Sequence, residues 1–356
     1  MYLLIPDVFW VPVYYIEEDI LNIIEMVMLE EFNSYSNLTN ETINRKETVI
    51  GVALPDQIVP RWPRIKSYME QYASTKDGVT LKIENADFDV AKQASQVENL
   101  ISQGIDVLIL VPVDLFAAAS LVEKAHTAGI KVVDFHRLIQ NSNPDVFISF
   151  DGQKVGELQG QYLTRKVPAG NYIILSGDPG NFNSKLYKDS SMEYIQPLVS
   201  IGNIKIVADK EVKNWDPRIA YKIVKDALIE NKNNVDAILA PLDTIAGGAI
   251  EALKEQGLAG KVTVTGQNAD LAAVRRIIEG TQSMTIFNDD REESRVAIDT
   301  AIKLADNEPI AVDKYVSNGK INVPSILLTP IVVDRNNINE ILIASGYLNP
   351  SEIYGA

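Results

Sequence analysis

Two stretches of this chain repeat one another, and the repeat restricts the fold more than any single element does. Residues 105–129 read IDVLILVPVDLFAAASLVEKAHTAG, and residues 235–257 read VDAILAPLDTIAGGAIEALKEQG. Each runs from an apolar strand-like segment through a proline and an aspartate two residues later into an alanine-rich helical stretch and a glycine. Pro112 thus answers Pro241, Asp114 answers Asp243 and Gly129 answers Gly257. Any two βαβ units share some of this pattern. The alternative is a duplicated Rossmann-like domain, with a cleft lined by the carboxyl ends of strands from both copies.

The rest of the chain from Glu47 onward keeps the same rhythm. Apolar runs at Val49–Leu54, Thr80–Ile83, Val107–Val111, Lys131–Phe135 and Val146–Phe150 predict strands. A second set follows at Tyr172–Leu175, Ile204–Val207, Ala237–Leu239, Lys261–Thr265 and Ser283–Phe287. Helix-period stretches lie between them: Lys92–Ile101, Ala117–His126, Lys154–Arg165, Arg218–Ile229, Ala246–Glu255, Leu271–Glu279 and Glu293–Leu304. This spacing suits βαβ crossovers and parallel sheets covered on both faces.

Residues 1–44 differ. They hold eight acidic residues and no Lys or Arg, about half of a net charge of −15. Ile16–Phe32 is apolar at 16, 20, 23, 24, 27 and 28, which predicts a helix with a wide apolar face. It reads as a helix packed on its own domain, as one that pairs with a partner or a second copy, or as a joined segment; the Asn/Ser/Thr-rich 33–47 stretch favours the last two. With Arg45 the first basic residue, the start is no signal peptide, and Glu17, Glu18 and Asp19 interrupt any membrane-spanning run. An exported protein would carry its leader or anchor outside this sequence.

Composition narrows the chemistry. A net charge of −15 disfavours phosphate backbones and anionic lipid. There is no cysteine and there are only two histidines, so thiol chemistry, disulfides and a His-rich metal cage are absent from expectation. No G-x-S-x-G, P-loop, H-E-x-x-H or G-x-G-x-x-G occurs, and no enzyme activity, cofactor or metal is expected. Gly247-Gly248 at a helix start could cradle an anion, although close helix–sheet packing explains it as well. The pairs Asp289-Asp290 and Glu292-Glu293 could serve acid–base work, but an acidic helix start accounts for them. What stands out is aromatic and planar-donor chemistry after strands: Arg61-Trp62, His136-Arg137 and Trp215. Sugars present apolar C–H faces and a rim of hydroxyls, which such groups match.

The stretches RW at 61–62, VGELQG at 155–160, AGGAIEAL at 246–253, GQNADLAAVRRI at 266–277, GTQSMT at 280–285 and VPSILLTPI at 323–331 resemble the D-xylose-binding proteins of bacterial sugar importers. The resemblance covers residues 47–348. It implies an α/β fold of the type I periplasmic binding protein kind: two Rossmann-like parallel-sheet lobes, with crossovers near Phe150–Gly152, Phe287–Asp289 and Val323–Ser325, preceded here by the extra N-terminal helix. The lobes would be 47–150 with 289–322, and 151–287 with 325–356. It implies sugar contacts at Arg61, Trp62, His136, Arg137, Asn183, Trp215, Asp243 and Asn268. Against the family pattern His136 stands for an aspartate, Leu242 for an asparagine, Asn268 for an aspartate and Asn288 for a lysine.

The implied function is extracytoplasmic capture of a pentose such as D-xylose, in a cleft that closes on the ligand and reports to an ABC-type permease or a membrane sensor kinase. Residues 1–44 could add a dimer contact. A repressor core shares the fold but needs a basic helix-turn-helix, which residues 1–44 lack, and no nucleic acid is expected. An enzyme on the same fold is the remaining alternative.

Overall fold

A computed structural model describes residues 47–57, 61–179 and 181–354. The expected helix Ile16–Phe32, with the rest of residues 1–44, lies outside them. From Thr48 the chain alternates β1 (Thr48–Leu54), α1 (Arg61–Ala73), β2 (Val79–Asn85), α2 (Val90–Ser102), β3 (Val107–Leu110), α3 (Ala119–Thr127), β4 (Lys131–Phe135) and β5 (Val146–Phe150). The next part comprises α4 (Gly152–Lys166), β6 (Gly170–Ser176), α5 (Phe182–Ser200), β7 (Ile204–Glu211), α6 (Pro217–Glu230), β8 (Ala237–Leu239), α7 (Asp243–Glu255), β9 (Thr263–Val264), α8 (Leu271–Glu279) and β10 (Met284–Phe287). After it come α9 (Asp290–Ala305), β11 (Lys314–Ser317), β12 (Asn322–Leu328) and β13 (Ile331–Asp334).

Two sheets, parallel except for the β11–β12 edge, organise the molecule. The first runs β11-β12-β5-β4-β3-β1-β2 and the second β7-β6-β8-β9; β10 and β13 form an antiparallel pair. In both sheets the strand order begins 2-1-3-4. The repeated segments at 105–129 and 235–257 therefore supply the same third unit of each, β3–α3 and β8–α7, as a duplication requires.

Each sheet is covered on both faces, so its central strands β1, β3 and β8 are apolar along their whole length rather than alternately, while the edge strands β2, β7 and β11 carry polar residues. On β1, Ile50, Val52 and Leu54 join a core with Trp62, Ile65 and Met69 of α1 and Ala297, Ile298 and Ala301 of α9. Ala53 faces the other way, toward Val97 and Leu100 of α2 and Leu121, Val122 and Ala125 of α3. In the second sheet Ile173 and Leu175 pack on α6 and α7, while Tyr172 and Ile174 join Leu163 of α4 and Ile195 of α5.

The VGELQG stretch has a packing reason. A Cβ on Gly156 would lie 2.3 Å from the Tyr187 carbonyl oxygen, and one on Gly160 would lie 2.5 Å from that of Ser191, so α4 and α5 touch backbone to backbone. Gly248 acts likewise: a Cβ there would meet the Pro217 carbonyl at 2.1 Å. Gly248 thus serves helix–helix contact between α6 and α7, while Gly247 lies against the Arg276 guanidinium of α8.

The chain leaves the first sheet after Phe150, returns to it through α9 after Phe287, and leaves again to β13. The last passage is displaced from the expected Val323–Ser325. Ser325–Leu328 stay paired in register with Phe147–Phe150, so β12 continues to Leu328 and the passage falls at 329–330. Helices α1 and α5, the helical turn Asn339–Ala344, the short helix Pro350–Tyr354 and the strands β11–β13 are not among the elements that periodicity predicts.

Candidate functional site

The carboxyl ends of the first sheet's strands bring together residues far apart in sequence. Arg61 and Trp62 open α1, and His136 and Arg137 follow β4 directly. Asp290 and Glu293, one turn apart at the start of α9, approach the same place and are fully buried. Arg61 Nη1 stands 2.9 Å from His136 Nε2, and Arg61 Nε lies 3.6 Å from Asp290 Oδ1. His136 Nδ1 is 3.0 and 3.3 Å from the two oxygens of Glu293. Arg64, one turn further along α1, donates to Asp290 Oδ2 at 3.2 Å.

These contacts set the charge balance. Burial opposes the charge on Arg61, but Asp290 and Glu293 outweigh it and raise its pKa above the ordinary value. Arg137 goes the other way. Burial lowers it and Arg61 lowers it further, with Asp56 opposing. A half-buried arginine of this kind gains from any ligand able to accept hydrogen bonds in place of water.

Trp62 is placed differently from the expected stacking surface. It is 2% exposed, inside the α1–α9 core. The Arg137 guanidinium lies 5.3 Å over its ring, and His136 meets it edge-on at 5.4 Å and 87°. Its Nε1–H is buried with no hydrogen-bond partner among the described residues. The ring therefore carries Arg137 as a cation–π platform while anchoring the core.

The second sheet contributes its own carboxyl-end loops. Trp215 is half-buried over Gly177, where a Cβ would come within 2.0 Å of the indole. Asn183 stands in the first turn of α5, its backbone N–H capped by Asn181. Asn268, at φ 106, follows β9 and donates its backbone N–H to the Ile286 carbonyl. Asn288, in the passage between β10 and α9, is 5% exposed, and its Oδ1 has no hydrogen-bond partner among the described residues. Gln267 Oε1 is in the same condition. Burying such atoms unpaired costs about 1–3 kcal/mol each, a cost that a bound hydroxyl removes. Of the eleven non-glycine residues with positive φ among those described, five lie in these loops: His136, Asn214, Trp215, Asn268 and Ala269. Strain of this kind gathers at binding sites.

The two halves face one another here. Burial raises the pKa of the Tyr187 hydroxyl of α5 while Gln267 and Arg61 pull it down, and burial raises that of Asp270 while Arg64 and Arg61 pull it down. Tyr187 and Gln267 are functional candidates with no counterpart in the sequence reading, whereas Asp290 and Glu293 enter that reading only as part of an acidic helix start. The helical spacing of Asp290 and Glu293 was the available signal, since an i,i+3 pair shares a face. Asp289 and Glu292 do behave as an acidic helix start: Asp289 caps α9, and Glu292 pairs with Arg295.

Asp243 does not belong to this surface. It is 1% exposed, and both oxygens are taken by protein donors. Gln282 Nε2 donates to Oδ1 at 2.7 Å, and Thr285 Oγ1 and the Asp270 N–H donate to Oδ2 at 2.9 and 3.0 Å. Gly266 is required beside it, since a Cβ there would lie 2.1 Å from Oδ1. The carboxylate ties the start of α7 to the GQNAD and GTQSMT stretches, which explains why those motifs occur together. Its place is behind the site, holding the loop that carries Gln267 and Asn268. Leu242 caps α7 beside it without a side-chain hydrogen bond.

Among the described residues no helix is long and apolar enough to cross a membrane, and no cluster of His, Asp and Glu could hold a metal ion.

Comparison with known proteins agrees with this architecture. Residues 50–309 match the periplasmic binding protein domain. The chain is 40% identical over 316 residues to the D-xylose-binding periplasmic protein of Escherichia coli, covering 89% of this chain and 96% of that protein. It is 39% identical over 315 residues to the D-xylose-binding periplasmic protein of Haemophilus influenzae, covering 88% and 95%. A carbohydrate transporter solute-binding protein from Chloroflexus aurantiacus, solved in complex with D-glucose, superposes with a TM-score of 0.76 at 30% identity, covering 85% of this chain and 97% of that one.

Proposed function

The chain belongs to the periplasmic binding protein family, and from that premise we propose that it captures D-xylose or a similar pentose outside the cytoplasm. The observation that carries the reading is the set of planar donors and polar groups gathered at the carboxyl ends of both sheets. Arg61 and Arg137 stand on one side; Trp215, Asn268, Gln267 and Asn183 belong to the other. Identity of 39–40% to two D-xylose-binding proteins over nearly their whole length supports the sugar class.

In this reading residues 48–150 with 290–328 make one lobe, and 151–287 with 331–354 the other. A pentose ring enters between them. Arg61 and Arg137 donate to adjacent hydroxyls, Trp215 covers a C–H face, and the buried amides of Asn288 and Gln267 accept or donate at the rim. Gln267 Oε1 and Asn288 Oδ1, which have no hydrogen-bond partner among the described residues, gain one from the sugar on closure. The closed form is then read by a membrane partner, an ABC-type permease or the extracytoplasmic domain of a sensor kinase, and residues 1–44 supply a contact between copies.

A thermal-shift screen across D-xylose, D-ribose, L-arabinose and D-glucose tests the reading, because a ligand of the folded state alone raises the melting temperature by mass action. The expected result is the largest rise with D-xylose. No rise with any aldose would remove the proposal.

A further inference from the structure

His136 was expected to touch the sugar, but its hydrogen bonds leave no ring nitrogen for one. A guanidinium only donates, so His136 Nε2, 2.9 Å from Arg61 Nη1, must be the bare, accepting nitrogen. A neutral imidazole then carries its proton on Nδ1, and that N–H donates to Glu293 at 3.0 Å. A second ring proton would set two donors against each other at Arg61. Only one tautomer fits. The ring is fixed further by the edge-on contact with Trp62 and by the left-handed backbone at φ 68. Arg61 Nε also faces Asp290 Oδ1 as an ion pair at 3.6 Å, beyond hydrogen-bond distance. Both anchors, Asp290 directly and Glu293 through His136, come from the first turn of α9, immediately after the passage between sheets.

We propose that His136 and Glu293 are positioning residues for sugar capture: Glu293 sets the tautomer of His136, and His136 sets the plane of Arg61, so that the remaining N–H groups of the guanidinium meet the ligand's hydroxyls. The inference rests on the sugar reading above. It deepens that reading by taking His136 out of the direct contacts and bringing in a buried carboxylate, Glu293, that touches no ligand.

Two substitutions at one position separate this role from a general structural one. In His136→Asn the amide reaches only the place of Nδ1, so it keeps Glu293 and loses Arg61; asparagine also tolerates the left-handed backbone. In His136→Gln the longer side chain puts a carbonyl near the place of Nε2, where it can accept from Arg61. Titration calorimetry with D-xylose should show about a tenfold loss for the asparagine variant, the size of one charge-assisted hydrogen bond, and recovery of most of it with glutamine. In the wild-type protein, two-bond 1H–15N correlation at neutral pH should show Nδ1 protonated and Nε2 bare, a reading that depends on no variant. The proposal is overturned if the asparagine variant binds as tightly as wild type, if glutamine loses as much as asparagine, or if the proton sits on Nε2. A wild-type protein that binds no aldose would instead sink the sugar reading, and the tautomer measurement would still decide the proton arrangement.

Discussion

Replacing Asp243 by asparagine should change how stability depends on pH. The carboxyl is 1% exposed and lies near Asp270; burial first, then that neighbouring charge, raise its pKa from 3.8 to about 7, against the pull of three donors. The unfolded chain gives up this proton near 3.8, while the folded one keeps it to about 7. Between those values the folded state binds more protons, so stability falls as pH rises, and the full contribution is present only below about 3.8. From pH 5 to pH 8 the loss is on the order of 3 kcal/mol. Asp243→Asn removes the titration. It also turns an NH2 group toward one of the donors Gln282, Thr285 or the Asp270 N–H, a penalty of about 1–3 kcal/mol that is independent of pH. Urea unfolding of both proteins at pH 5 and pH 8 checks this. Buried carboxyls remote from Asp243 contribute to both curves and cancel in the difference. The variant should be the less stable at pH 5 and close most of the gap, or reverse it, by pH 8. Parallel pH profiles would refute the reasoning and mean that the three donors hold the carboxylate ionised throughout.

Trp215→Ala should weaken D-xylose binding by about 1–3 kcal/mol through lost stacking and burial, read by titration calorimetry, with unfolding little affected because the ring is only half-buried. Trp62→Ala should instead cost about 3–5 kcal/mol of stability, because the ring fills the core between α1 and α9; an unchanged melting temperature would contradict that placement. Arg137→Lys should lower sugar affinity about tenfold, since an ammonium cannot reproduce the fork or lie flat on Trp62, and equal affinity by calorimetry would place the site elsewhere. Gly160→Val should destabilise by more than about 2 kcal/mol in thermal unfolding by forcing α4 off the Ser191 backbone; a neutral result would show that the two helices separate freely.

The repeated βαβ units and the parallel pairing of the two sheets are legible in the order of residues along the chain. Their strands, covered on both faces, are written as unbroken apolar runs such as VLIL at 107–110, and the matched Pro112/Pro241 and Asp114/Asp243 mark the same unit in each copy. The sequence also marked Arg61, Arg137 and Trp215, because a planar donor or indole just after a strand lies at the carboxyl edge in any such fold. Tertiary structure alone decided which polar groups are spent inside the protein. Asp114 and Asp243 are equivalent in sequence, yet the first caps an exposed turn while the second is enclosed by Gln282, Thr285 and Asp270, residues about 30–40 positions away. The same holds for His136, whose nitrogens are claimed by one residue 75 positions earlier and another 157 later. Local pattern reports which chemistry a side chain offers. Whether that chemistry is left for a ligand depends on partners that only the folded chain brings within about 3 Å.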